Sequence, residues 1–212
     1  MQSIQLLIYS HIERETSKLP KPAVIGINGV DASGKTTMAS GLDAYLRRRG
    51  IPTALIHVDD FHNPRAVRTI DDSPEGYIKH AFDVPRIHTL ILDLKRAPGT
   101  KTALLLDLDT DAYTNQKIFE VNGDTVIIVE GVLLYRPPLD ELSDYRVFLD
   151  VTFDEALRRA RERDVPKYGE AFLQRYIDRY IPAQKLYLSK NAPKERSQLV
   201  IDNNDVRKPI II

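Results

Sequence analysis

Gly34-Lys35-Thr36 places a lysine and a hydroxyl directly after a glycine, and a second glycine, Gly29, stands five residues earlier. With Val30-Asp31-Ala32-Ser33 between them, the run reads G-x-x-x-x-G-K-[ST], a pattern whose chemistry is phosphate binding. The glycines permit backbone angles that a side chain would obstruct. Successive N–H groups can therefore turn inward and ring a phosphate at the positive end of a helix. Lys35 supplies a full positive charge for the β- and γ-phosphates, and the Thr36 hydroxyl can ligate the magnesium that bridges them. The expected nucleotide contacts are Gly29, Asp31, Ala32, Ser33, Gly34, Lys35, Thr36 and Thr37.

Carboxylates follow three apolar runs: Asp59-Asp60 after Thr53–Val58, Glu130 after Thr125–Val129, and Asp202-Asn203-Asn204 after Leu199–Ile201. Phosphoryl transfer needs a group that orients or deprotonates the attacking hydroxyl, and Asp59 is the candidate base, with Asp60 its nearest competitor. Asp59 could instead cap the next turn or order magnesium-bound water. Glu130 could hold magnesium directly or through water, so the expected metal set is Thr36, Glu130 and Asp59. Further along, Arg158, Arg159, Arg161 and Arg163 crowd one predicted helix, with Arg159 and Arg163 on one face at i,i+4. Such arginines could close over the phosphates and neutralise charge in the transition state. The alternative is a solvated basic face paired with Glu155 and Glu162.

These groups need elements to aim them. Apolar spacing predicts a leading helix over 4–18 with Ile4, Leu7, Ile8 and Ile12 inward, within an N-terminal segment 1–20. A buried strand over 23–28 enters the phosphate loop, a helix over 35–49 leaves it, and Thr53–Val58 forms the next strand. So short a link implies that these two strands are parallel neighbours. Residues 59–82 lack periodicity and read as a long loop with at most short helices, a segment of the kind that often carries function. A helix over 85–95 follows an Asp83 cap, strands are expected at 104–108, 125–129, 146–151 and 199–201, and Thr152 with Glu155 has the spacing of a capping box. The class is α/β, a mostly parallel sheet flanked by helices, in which ligands sit beyond the carboxyl ends of the strands.

The 212 residues suit one domain, 1–212. Thirty basic residues balance thirty acidic ones, so no long-range field favours nucleic acid or an anionic membrane as partner. The absence of cysteine excludes disulfides and thiolate catalysis, and the five histidines do not cluster. The apolar run 4–9 is too short to span a membrane and lacks the marks of a signal peptide, so a cytoplasmic location is expected. Oligomeric state is left open, a homo-oligomer included.

With these residues in place, the chain resembles the P-loop kinase group that contains uridine kinase, nicotinamide riboside kinase, phosphoribulokinase and bacterial pantothenate kinase. The likeness runs from about residue 23 to 203. It rests on the phosphate loop, on Val58-Asp59-Asp60-Phe61, on Ala81-Phe82-Asp83, on Val129-Glu130-Gly131 and on Val200-Ile201-Asp202-Asn203. The resemblance implies a three-layer P-loop NTPase fold, ATP and Mg2+ as cofactors, Asp59 as catalytic base, and Arg159 and Arg163 on a short lid over 152–168. It also places Asp202 and Asn203 near the adenine. Asp60-Phe61-His62-Asn63-Pro64-Arg65 followed by Ser73-Pro74-Glu75-Gly76-Tyr77 resembles bacterial uridine kinase-like proteins. A small-molecule acceptor is therefore expected over 60–83, a nucleoside such as uridine or a related metabolite, with Asp59, His62, Arg65, Asp72 and Tyr77 as its contacts. Two positions depart from the group's pattern. Leu106 and Asp111 occupy the segment where uridine kinases carry a tyrosine and a histidine, and Ala160 stands at one expected lid arginine.

Rival classes have weaker support. Asp178-Arg179-Tyr180 matches a thymidylate-kinase tripeptide but falls in a late helical segment, and no Asn-Lys-X-Asp is present to read guanine in a GTP switch. A regulator that binds nucleotide without turnover would not need Lys35, Thr36, Asp59 and Glu130 together.

Overall fold

The computed structural model describes residues 4–212; the first three residues of the predicted leading segment lie outside them. In chain order the elements are α1 (Ile4–Thr16), β1 (Ala23–Gly29), α2 (Lys35–Arg48), β2 (Thr53–His57), a 3-10 turn over Val58–Phe61, α3 (Arg65–Arg68), α4 (Pro74–His80) and α5 (Val84–Arg96). A hairpin of β3 (Gly99–Asp107) and β4 (Ala112–Val121) follows, then β5 (Val126–Glu130), β6 (Tyr145–Asp150), α6 (Phe153–Tyr168), α7 (Glu170–Arg175), a π-helical turn over Tyr176–Tyr180, α8 (Ile181–Asn191), β7 (Leu199–Asp202) and β8 (Ile210–Ile211).

The main sheet runs β2-β5-β1-β6-β7-β8, parallel except for β8. The strands β1 and β2 are parallel but are not neighbours, because β5 pairs with both of them. The short link alone implied adjacency; the apolar run of β5 is long enough to sit between them, buried on both faces. Alternation then sorts the sheet into two cores. Ile25, Ile27, Val126 and Ile128 face α1 and α2, where Ile8, Ile12, Leu42 and Leu46 pack. Val24, Ile127 and Val129 face the other way, toward Ile87, Ile91 and Leu94 of α5 and Tyr187 of α8. This is the expected three-layer α/β arrangement. Truncating a fully buried side chain such as Leu42 to alanine would cost about 2–5 kcal/mol.

Three local expectations change. In α1 the inward face is Ile8, Tyr9, Ile12 and Thr16, while Ile4 and Leu7 are exposed. The predicted strand over 104–108 extends back to Gly99 and belongs to a separate antiparallel hairpin. Its partner β4 went unpredicted because most of its residues are exposed and it has no continuous apolar face; Phe119 and Val121 alone are buried. The hairpin is fastened over the sheet edge by Lys117, which bonds Asp60 at 2.9 Å, and by Arg86, which donates to the Leu104 carbonyl.

Candidate functional site

The phosphate loop joins β1 to α2. Ala32 and Gly34 have φ of 56° and 95°, the left-handed region where glycine alone is unstrained. A Cβ on Gly34 would also lie 2.8 Å from Asn203 Nδ2. Asn203, buried, donates to the Ser33 carbonyl at 2.7 Å, so β7 fixes the loop from below. Lys35 folds back and donates to the Val30 carbonyl at 2.8 Å. A cavity of about 500 Å³ opens above, lined by Asp31, Ala32, Gly34, Lys35, Thr36 and Thr37 from the loop and by Asp59, Arg159, Arg163 and Val206 from elsewhere. A larger cleft of about 730 Å³ lies between β2 and the hairpin, and no phosphate-loop residue lines it. The smaller cavity gathers the candidate residues.

At its floor Thr36 Oγ1 donates to Glu130 Oε1 at 3.0 Å, and His57 Nδ1 lies 2.6 Å from the same oxygen. Glu130 is 3% exposed. Hydroxyl and carboxylate oxygens are the hard donors that magnesium takes, and among the described residues no group of three His, Cys, Asp or Glu could hold a metal by itself. That donor set fits an ion shared with substrate phosphates, since magnesium is usually held by one or two carboxylates, phosphates and water.

The two adjacent aspartates separate. Asp59, in the 3-10 turn after β2, is exposed and lines the cavity, whereas Asp60 is turned to the hairpin lysine Lys117.

The arginines of α6 divide likewise. Arg158 lies on the solvent face, paired with Glu155 at 2.7 Å and Glu162 at 2.5 Å, so the solvated reading holds for it. Arg159 is 13% exposed at its side chain and turns inward, donating to the carbonyls of Asn203 (2.7 Å) and Asn204 (2.9 Å) while Glu155 holds its Nε at 2.7 Å. Hydrogen bonds from Arg158 and Arg159 bring Glu155 down to about 2. Arg163 reaches the cavity while bonding Asp164 at 2.8 Å and the Tyr176 hydroxyl at 2.9 Å. Asp202, for its part, accepts from the Asn204 backbone and side chain.

Residues 24–188 match the model of the phosphoribulokinase / uridine kinase family. The chain belongs to this family. Uridine-cytidine kinase A of Dictyostelium discoideum is 30% identical over 200 residues, which cover 87% of this chain and 38% of that protein. The uridine kinase of Ligilactobacillus salivarius (strain UCC118) is 31% identical over 166 residues, 76% of this chain and 74% of that protein. A solved structure, described as that of a possible uridine kinase from Bacillus stearothermophilus, superposes with a TM-score of 0.74 at 27% identity, covering 93% of this chain and 99% of that one. The fold class and the family are those expected from the motifs.

Against this phosphoribulokinase / uridine kinase framework, the other expected contacts do not line the phosphate cavity. His62 bonds the Asp59 carbonyl at 2.7 Å and packs on Phe82, with burial pulling its pKa down. Tyr77 is buried against Tyr180 and Phe82, and that burial raises its pKa well above the ordinary value. The Arg65 side chain is exposed, and its backbone N–H donates to Asp111 at 2.8 Å. Asp111 therefore caps α3 from the hairpin tip. Asp72 is 83% exposed and meets Arg179 at 3.2 Å. Among the expected nucleotide contacts, the Asp31 backbone N–H donates to Gln184 Oε1 at 2.7 Å.

Sequence reading missed three groups. Gln184 locks the phosphate loop to α8. His57 touches the Glu130 carboxylate. Arg179, treated as coincidental in its tripeptide, donates to the carbonyls of Arg68 (3.0 Å) and Asp71 (2.9 Å) and lies over the Tyr77 ring, so it clamps the 60–83 segment. Only the tripeptide match drew attention to Arg179, and nothing local marks Gln184.

Proposed function

We propose that the protein is an ATP-dependent phosphotransferase that moves the γ-phosphate to a hydroxyl of a small molecule, with a nucleoside such as uridine as the leading acceptor. The observation that carries this is the meeting of Lys35, Thr36, Asp59, Arg159 and Arg163 around one cavity. The family to which the chain belongs supports it, and so do the names of its relatives.

In this reading Gly29, Ala32, Ser33, Gly34, Lys35, Thr36 and Thr37 bind the phosphates, and Asp202 and Asn203 frame the adenine side. Thr36 and Glu130 would hold Mg2+, with Asp59 close by, and bound Mg-ATP would supply the transferable phosphoryl group with part of its charge neutralised. Asp59 accepts the proton of the acceptor hydroxyl as that oxygen attacks. Lys35, Arg159 and Arg163 counter the charge spread over the equatorial oxygens. The helix α6 acts as the lid, and 60–83 with His62, Arg65, Asp72 and Tyr77 forms the acceptor side. The protein works as one domain in the cytoplasm, without nucleic acid or membrane as partner; no described helix is long and apolar enough to cross a membrane.

A second acceptor class is favoured by one observation. Asp111 is committed to the Arg65 and Arg68 nitrogens, and Leu106 is buried, so neither of these two hairpin positions offers a free group to read a base. A polyol or another small metabolite such as nicotinamide riboside or pantothenate is the alternative.

ADP release from Mg-ATP, measured across uridine, cytidine, nicotinamide riboside, pantothenate, ribulose 5-phosphate and simple sugars, tests both. Stimulation by one acceptor is expected. Equal, slow release with every compound would replace the kinase by a nucleotide-binding regulator.

A further inference from the structure

Asp31 is a carboxylate that phosphate binding does not use. It stands in the phosphate loop and lines the same cavity as Asp59 and Lys35. Its Oδ2 accepts from Gln184 Nε2 at 2.8 Å, and its own N–H donates back to Gln184 Oε1 at 2.7 Å. Gln184 is 2% exposed and also donates to the Tyr180 carbonyl at 3.1 Å, so this two-point contact sets the direction of the carboxylate. Among the described residues Asp31 makes no ion pair and its second oxygen takes no hydrogen bond; Lys35, the cation that acts on it most, donates instead to the Val30 carbonyl. Burial raises the Asp31 pKa, Lys35 opposes this, and Asp59 adds to it.

Asp31 is partly buried and lines the cavity, so its free oxygen faces the space a ligand would fill, where a ligand hydroxyl can donate to it. Phosphate cannot, because it is itself an anion and acceptor. The acceptor, the other molecule in the cavity, is the one that carries hydroxyl donors. We propose that Asp31, held in direction by Gln184, is an acceptor-specificity residue: its free oxygen receives a hydrogen bond from a second hydroxyl of the acceptor, near the one that Asp59 deprotonates. The class selected is a neutral molecule with at least two hydroxyls on neighbouring parts of a small ring or chain, and a deoxy analogue would leave the carboxylate unpaired.

This rests on the kinase reading, and the experiment separates the two. Steady-state kinetics are measured with uridine, 2'-deoxyuridine and 3'-deoxyuridine, or with the best acceptor of the panel and its deoxy analogues, in the wild type and in Asp31→Asn. The wild type is expected to favour the full polyol over one deoxy analogue by about ten- to hundredfold in kcat/KM, the range for a hydrogen bond to a charged group. Asp31→Asn should lose most of that preference through a raised acceptor KM, while the Kd for Mg-ATP moves far less. Asp31→Ser repeats the comparison should Asp31→Asn not fold. An unchanged preference in an active variant, or a loss confined to Mg-ATP affinity, overturns the inference and leaves the kinase standing. A wild type that turns over no acceptor overturns both.

Discussion

His57 Nδ1 and Glu130 Oε1 lie 2.6 Å apart, so the carboxylate that faces Thr36 is held from behind by a side chain on the neighbouring strand. A ligand oxygen fixed by a hydrogen bond loses less freedom when the ion arrives. His57→Ala is therefore expected to raise the Mg2+ concentration for half-maximal rate several-fold, within the range of about 10–100-fold seen when such supporting groups are lost. The acceptor KM should hold, and His57→Gln should recover part of the effect. A magnesium titration at saturating ATP decides it; an unaltered requirement would make the contact a packing feature.

Asp59 and Asp60 differ in what they touch, and their variants should differ in kind. Asp59→Asn keeps the shape but removes the proposed base, so kcat is expected to fall by about 10²–10⁴ with the Kd for Mg-ATP little changed. Asp60→Asn weakens the bond to Lys117 and loosens the hairpin, so it should act mainly on acceptor KM. If Asp60→Asn abolishes transfer and Asp59→Asn does not, the base has been assigned to the wrong carboxylate.

What could be read from sequence alone followed the range of each signal. The phosphate loop is eight consecutive residues, and Asp59, Glu130 and Asp202 each follow a short apolar run, so local pattern was enough to single them out as candidates. Strand order was not legible, because β5 enters between β1 and β2 from far along the chain and nothing near either strand records it. The same holds for Gln184, which meets Asp31 across 153 residues, and for Arg179, which reaches Asp71 across 108. The arginine helix shows the limit most clearly. Spacing set Arg159 and Arg163 on one face apart from Arg158, but only the packing of α6 turns Arg159 toward Asn203 and leaves Arg158 paired with Glu162 in solvent.

That division is testable. Arg159→Ala removes a cation from the cavity rim together with its bonds to the Asn203 and Asn204 carbonyls, and kcat is expected to fall by about 10–10³-fold. Arg158→Ala removes a solvent-screened pair and should leave kcat within about twofold. Parallel kinetics on the two variants check it, and comparable losses would mean that α6 acts through its overall charge.

The direction of the Asp31 shift also fixes a dependence of stability on pH. Its folded pKa is raised above the ordinary 3.8, chiefly by burial, so the folded state binds a proton more readily than the unfolded chain. The group's favourable contribution is complete below 3.8 and is lost as pH rises through the folded value; above that, the ionised carboxylate weighs against folding. Asp31→Asn removes the charge while keeping an oxygen that can accept from Gln184. Its Tm should exceed that of the wild type at pH 7.5, and the gap should close as the pH is lowered toward 3.8. Thermal melts of both proteins across that range provide the check. A wild type that is the more stable at pH 7.5 would show instead that Lys35 outweighs burial, and that the charge contributes to holding the loop.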